Sequence, residues 1–250
     1  MRVIVTSLLC ALALPLAAQE LEQLLLPVEP SVMFCSRNAE YDTRLIVYNM
    51  NDHPVRLVCA EDNCGAVGRV AGSEITGAAT APAYPTFLYL PKSDLDGVRM
   101  SLVVESSVRD HPEDHSFAEL PIAHASDFRD SKITLVGVRM DAGFRQALRI
   151  FGLDGTLGQV MVRAYNLKTD ELLYEEAHWL WPQSDEHTAN GMPLRPSLSI
   201  ECDLSEELPD LHDGQYVRIE LESLTPGLKF WSFVSLTNNK TQHFYTVVPH

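Results

Sequence analysis

Gln159-Val-Met-Val-Arg-Ala-Tyr165, Asn166-Leu-Lys-Thr-Asp170 and Leu172-Leu-Tyr-Glu-Glu-Ala-His-Trp-Leu-Trp-Pro182 read, in that order, as strand, turn and strand. Both arms are rich in β-branched and aromatic residues, and apolar positions recur with a period of two. On the second arm Leu173, Glu175, Ala177, Trp179 and Trp181 share one face; Leu172, Tyr174, Glu176, His178 and Leu180 share the other. Burying two indoles, at ~25 cal/mol per Å² over ~150–250 Å² each, is worth several kcal/mol. The Trp face is therefore expected to turn inward. That choice points Glu175 inward as well, which demands a bulge or a strand end close by.

The same period recurs along the chain. Thr43-Arg-Leu-Ile-Val-Tyr-Asn49, Val98-Arg-Met-Ser-Leu-Val-Val104 and Tyr216-Val-Arg-Ile-Glu-Leu-Glu222 are strand-like. Asn51-Asp-His-Pro54, Asp96-Gly97, Asp154-Gly155, Asp213-Gly214, Pro226-Gly227 and Asn238-Asn239 supply turns between strands. Helix is confined to short stretches near Glu20–Leu26, within a linker, and Ser205–Leu208. The fold class is all-β, of sandwich type. Tyr41-Asp-Thr-Arg-Leu-Ile-Val-Tyr48 aligns with Phe144-Arg-Gln-Ala-Leu-Arg-Ile-Phe151, and Val98-Arg-Met echoes Val217-Arg-Ile, which suggests an internal repeat. The expected organisation is a signal peptide (1–18), an N-terminal linker (19–27) and two tandem β-sandwich domains (28–125 and 126–250). Asp110-His-Pro-Glu-Asp-His115 is expected as a loop and Phe117–Ala123 as the closing strand of the first domain.

Export is expected from the N-terminus. Arg2 precedes an apolar run from Val3 to Leu16, and Ala17-Ala18 precede the polar Gln19-Glu20. This is the order of a cleavable signal, cut after Ala18. The run falls short of the ~20 residues of a membrane-spanning helix. No later segment reaches that length, so no membrane span is expected. The 18 basic and 34 acidic side chains left after removal of Arg2 give a formal charge of −16. Such a surface repels phosphate backbones, which argues against nucleic acid as a partner.

Beyond Cys10 in the signal, the chain has Cys35, Cys59, Cys64 and Cys202. An even number in an oxidising compartment allows two disulfides. Cys59 and Cys64 flank the turn-forming Ala-Glu-Asp-Asn and follow the strand-like Val55–Val58, so a hairpin would bring them into bonding range. The pairing of Cys35 and Cys202 stays open.

Phe144-Arg-Gln-Ala-Leu-Arg-Ile-Phe151 and Trp231-Ser-Phe-Val-Ser-Leu-Thr-Asn-Asn-Lys-Thr241 resemble the first and last strands of β-sandwich modules of secreted bacterial proteins. Those modules are broadly immunoglobulin-like and often tandem. The resemblance implies a fold and a periplasmic or extracellular location, and it carries no site.

Catalytic motifs are missing: there is no Gly-x-Ser-x-Gly, no phosphate-binding Gly-rich loop and no His-Glu-x-x-His. No catalytic residue, metal ligand or cofactor is assigned. Asp110–His115 holds two imidazoles and three carboxylates but reads as a solvated loop, and Asp94-Leu-Asp96-Gly97 as a plain turn. The expected function is that of an exported non-catalytic binding, structural or adhesion module with a protein or polysaccharide partner. Carbohydrate binding through Trp179 and Trp181 requires those rings to be exposed. A hydrolase of extracellular polymers is the competing class.

Overall fold

The computed structural model describes residues 20–28, 39–59, 66–67, 79–80, 84–108, 111–188, 191–201, 204 and 214–249. The expected signal peptide, Cys35, Cys64, Cys202 and Ser205–Leu208 lie outside the described residues. Strand is the dominant structure of the described chain. Its first part runs β1 (Leu21–Leu26), β2 (Ala39–Asn49), β3 (Val55–Arg56), β4 (Ala66–Val67), β5 (Ala79–Thr80), β6 (Thr86–Pro91), β7 (Val98–Val108), β8 (His111–Leu120) and β9 (Ala123–His124). The second runs β10 (Ile133–Met140), β11 (Phe144–Gly152), β12 (Gly158–Asn166), β13 (Leu172–Pro182), β14 (Ser197–Glu201), β15 (Gln215–Ser223), β16 (Phe230–Asn238) and β17 (Phe244–Val247).

The second part forms one eight-stranded sheet, ordered β10-β15-β12-β13-β14-β11-β16-β17. Its two four-stranded halves are joined where Trp181 and Pro182 pair with Leu198 and Ser197. The halves fold over one another, and β10 returns to lie against β16 and β17. Between them lies a core of Leu135, Val160, Val162, Val217, Ile219 and Leu221 against Leu148, Ile150, Phe230, Val234 and Leu236.

Two strands of this sheet are buried on both faces. On β11, Leu148 and Ile150 enter that core, while Arg145, Ala147, Arg149 and Phe151 turn the other way and are buried too. On β16, Val234 and Leu236 enter it, while Trp231, Phe233, Ser235 and Thr237 oppose the second set. The second face meets the first part of the chain. Phe151, Leu198, Trp231, Phe233 and Phe244 pack in one cluster with Leu24–Leu26, Tyr41, Leu45, Phe87–Leu90, Leu102, Leu120 and Phe128. The molecule thus stacks three layers around two cores, and one core is built from both parts. The apolar runs Phe230-Trp-Ser-Phe-Val-Ser-Leu236 and Ala147-Leu-Arg-Ile-Phe151 suit such a central layer, because neither face of the strand meets water.

In the first part β6-β1-β9 and β5-β2-β7-β8 form separate sheets, and β3 pairs with β4. Residues 21–26, expected within a linker, are instead the central strand of the first of these. Its Leu24, Leu25 and Leu26 are buried, so the leucine run is core. The stretch expected as a loop at 110–115 is instead strand from His111 onward. Pro112 fits there because β8 is the edge of its sheet, where a missing N–H costs no ladder bond. The strand expected at 117–123 is divided: β8 ends at Leu120 and β9 starts at Ala123. Asp94–Gly97 falls in a 3-10 turn over Lys92–Gly97, in keeping with its turn-like composition.

The aligned segments of the suggested repeat have different neighbours. β2 pairs directly with β7. Its counterpart β11 pairs with β14 and β16, whereas β15, the counterpart of β7, pairs with β10 and β12.

Candidate functional site

The hairpin of β12 and β13 forms as its sequence suggests, with Gln159 opposite Trp179, Met161 opposite Ala177 and Arg163 opposite Glu175. Its facing is the reverse of the expectation. Trp179 and Trp181 are 46% and 59% exposed, whereas Leu180 between them is fully buried. The partner strand decides this. Val160, Val162 and Ala164 fill the core, so Gln159, Met161 and Arg163 must face water, and the register puts Trp179 and Glu175 on their side. Glu175 therefore never needs an inward partner. Its carboxylate accepts a 2.5 Å hydrogen bond from Arg163 Nε, and Glu222 accepts one of 2.9 Å from Arg163 Nη1. The ladder does shift register near Leu173, between Ala164 and Tyr165 on β12, but no buried charge requires it.

The two indoles stand 6.2 Å apart between ring centroids and are tilted by 38°. They lie at the C-terminal end of β13, where it passes from its ladder with β12 to its pairing with β14, on a backbone fixed by both. Other apolar side chains join them. Leu224, whose N–H donates to Gln159 O at 2.9 Å, continues the outward series of Glu220 and Glu222 and is exposed. Leu157, just before β12, is exposed as well, and Met161 is half-buried. The sequence signal for these three was their parity with Gln159 and Glu222, which becomes readable only once the facing of β12 is set.

The charges further along the same face of the hairpin are already engaged. Glu175 first, and Glu222 second, push the Arg163 pKa further upward and hold the guanidinium protonated. Beyond it, Arg218 reaches Asp170 at 2.8 Å and lies over the Tyr165 ring, while Lys132 reaches Glu220 at 3.1 Å.

Concave features lie elsewhere. Between the two parts of the chain, Arg145 and Arg149 are 3% and 4% exposed. Arg145 donates to Tyr41 Oη at 3.2 Å and to Gln242 Oε1 at 2.8 Å. Arg149 donates to Ser235 Oγ at 2.6 Å and lies over the Phe233 ring. The cavity they line is about 20 Å³, the room of a single water. These groups tie the layers together and leave no room for a substrate. An open groove of about 690 Å³ is lined by Leu24, Leu95, Val98, Met100, Ile122 and Val248, with Arg99, Glu119 and His124 at its edges. There the His124 ring is engaged with Glu22 at 3.2 Å.

Among the described residues the nearest approach to a catalytic arrangement is Ser93, Asp94 and His53. Ser93 Oγ donates to Asp94 Oδ1 at 2.9 Å, and His53 Nε2 lies 3.3 Å from the same oxygen. The carboxylate stands between hydroxyl and imidazole, so the ring cannot take the hydroxyl proton as a triad requires. What the cluster does is fasten the 51–53 turn to the 3-10 turn, helped by Asn51 Nδ2 donating to Asp94 O at 3.0 Å.

His53 is raised above its ordinary pKa, chiefly by Asp52 and then by Asp94. A raised folded-state value makes this contribution to stability complete below the unfolded-state pKa of ~6.5. It is lost as the pH climbs through the folded-state value. NMR titration of the His53 ring is expected to show the elevation, with Asp52→Asn and Asp94→Asn each lowering it.

Among the described residues no group of three or more His, Cys, Asp or Glu side chains is placed to hold a metal, and no helix is long and apolar enough to cross a membrane. Compared with family models, curated proteins and solved structures, the chain matches none.

Proposed function

We propose that this chain is an exported, non-catalytic β-sandwich protein that binds carbohydrate through Trp179 and Trp181. One observation carries the reading: two neighbouring indoles are held in water on a rigid strand, although burial would be worth several kcal/mol. An indole face carries negative charge density, and the C–H bonds on the face of a pyranose ring present positive edges to it. Exposed apolar patches rimmed by polar groups mark binding surfaces, and Gln159, Glu175 and Glu222 offer such a rim. Structural or adhesion contacts would use loops or sheet edges and would give the indoles no task.

The protein has three tryptophans, of which Trp231 is buried. In a Trp231→Phe variant, iodide is expected to quench the remaining fluorescence readily, and a soluble neutral oligosaccharide is expected to protect it. Quenching that no oligosaccharide changes would count against carbohydrate as the ligand.

Two immunoglobulin-like units, the first taking in β1 and ending at 125 and the second spanning 126–250, belong to this proposal, as do the signal peptide and a periplasmic or extracellular location. So does the Cys59–Cys64 disulfide. Supporting it, β3 and β4 close the connection that carries both cysteines: Val55 lies opposite Val67 and Arg56 opposite Ala66. Peptide mapping of unreduced, exported protein is expected to start at Gln19 or Glu20 and to contain a peptide cross-linked from Cys59 to Cys64. Removing so short a loop constraint should cost about 2 kcal/mol.

A further inference from the structure

We infer that the glycan taken by the Trp179–Trp181 face is one without acidic groups, and that Glu175 and Glu222 exclude polyuronates and sulfated polymers. This rests on the carbohydrate reading and adds the ligand's charge class to it. A polymer that carries carboxylates or sulfates needs a cation at the protein surface, and Arg and Lys are the groups that supply it. The cation on β12, on the same face and four residues along from the partner of Trp179, is Arg163, and both its Nε and its Nη1 donate to carboxylates of that face, at 2.5 Å from Glu175 and 2.9 Å from Glu222. One positive and two negative charges leave this rim with an excess negative charge. Further along the face, Arg218 is turned onto Asp170 and Glu220, and Lys132 onto Glu220.

An acidic polymer that seats on the indoles and runs on along β13 reaches Glu175, four residues and about 13 Å from Trp179, with Glu222 on the other side of Arg163, and is repelled there most strongly at low ionic strength, where screening is weak. It would have to displace a carboxylate to reach the guanidinium. An uncharged pyranose chain meets none of this. It stacks on Trp179 and Trp181, covers Met161 and Leu224, and finds the Gln159 amide between them.

The test is affinity electrophoresis of the full mature chain at low ionic strength. The gels carry an uncharged β-glucan, polygalacturonate or dextran sulfate. The wild type is expected to be retarded by the glucan and to run freely through the two acidic polymers. Glu175→Gln/Glu222→Gln releases Arg163 and is expected to gain retardation by polygalacturonate, at least several-fold and abolished by added salt. Should the double variant fail to fold, Glu222→Gln alone serves, because that side chain is more than half exposed. Wild-type retardation by the acidic polymers as strong as by the glucan would overturn the charge class while leaving the tryptophan reading in place. A folded variant that gains no retardation would overturn the role of the two carboxylates. Retardation by none of the polymers would overturn the carbohydrate reading itself and point to a protein partner.

Discussion

Phe233→Ala is expected to destabilise the whole described molecule by about 3–5 kcal/mol, the usual cost of removing a buried aromatic ring. Phe233 is fully buried in the face of β16 that meets the first part of the chain. It stacks on Phe151 at 6.1 Å, tilts against Trp231 at 5.4 Å and lies beneath the Arg149 guanidinium. The cavity opened by the variant lies in a core supplied by both parts of the chain, so the loss is shared. Thermal unfolding followed by near- and far-ultraviolet circular dichroism should show a single transition, lowered as one. Two transitions, with only the second shifted, would mean that the two parts are stable separately and that the shared core contributes little.

Trp179→Ala and Trp181→Ala are expected to do the reverse, with a large effect on binding and little on folding. Each indole is already half in water, so truncation opens no cavity and should change stability by no more than about 0.5 kcal/mol. As anchors of a contact, each should contribute about 2 kcal/mol, roughly 30-fold in affinity. The double variant should then fall below detection. Isothermal calorimetry with the best neutral oligosaccharide, alongside thermal melts, separates the two effects. A drop in stability of several kcal/mol with affinity retained would return the indoles to the core.

The all-β class and the β12–β13 hairpin were legible because period-two patterning and turn residues are local. So was the run on β16, although what it packs against was not. The outward facing of Trp179 and Trp181 is not legible on β13, whose own hydrophobicity favours the opposite face. The deciding information lay on its neighbour, in the alternation of Val160, Val162 and Ala164 with Gln159, Met161 and Arg163, together with a register that puts Arg163 beside Glu175. A charged residue on the presumed inner face was the warning, and a salt bridge on the outer face is its resolution. Leu21–Leu26 is illegible as a strand for a different reason. A central strand buried at one end has no alternation to show, so composition alone cannot separate it from a short helix or a hydrophobic linker. Likewise Pro112 spoke for a loop until β8 proved to be an edge strand. The layered packing of the two parts could not be read locally, since it depends on which sheet covers the second face of β11 and β16.

The most direct test of the indole platform is the mobility of wild-type protein and of Trp179→Ala/Trp181→Ala, side by side, in gels with and without an uncharged β-glucan. The prediction is that the wild type is retarded in the glucan gel and that the folded double variant migrates there as it does in the plain gel. Equal retardation of the two proteins, or none of either, would contradict the assignment of Trp179 and Trp181 as the carbohydrate-binding surface.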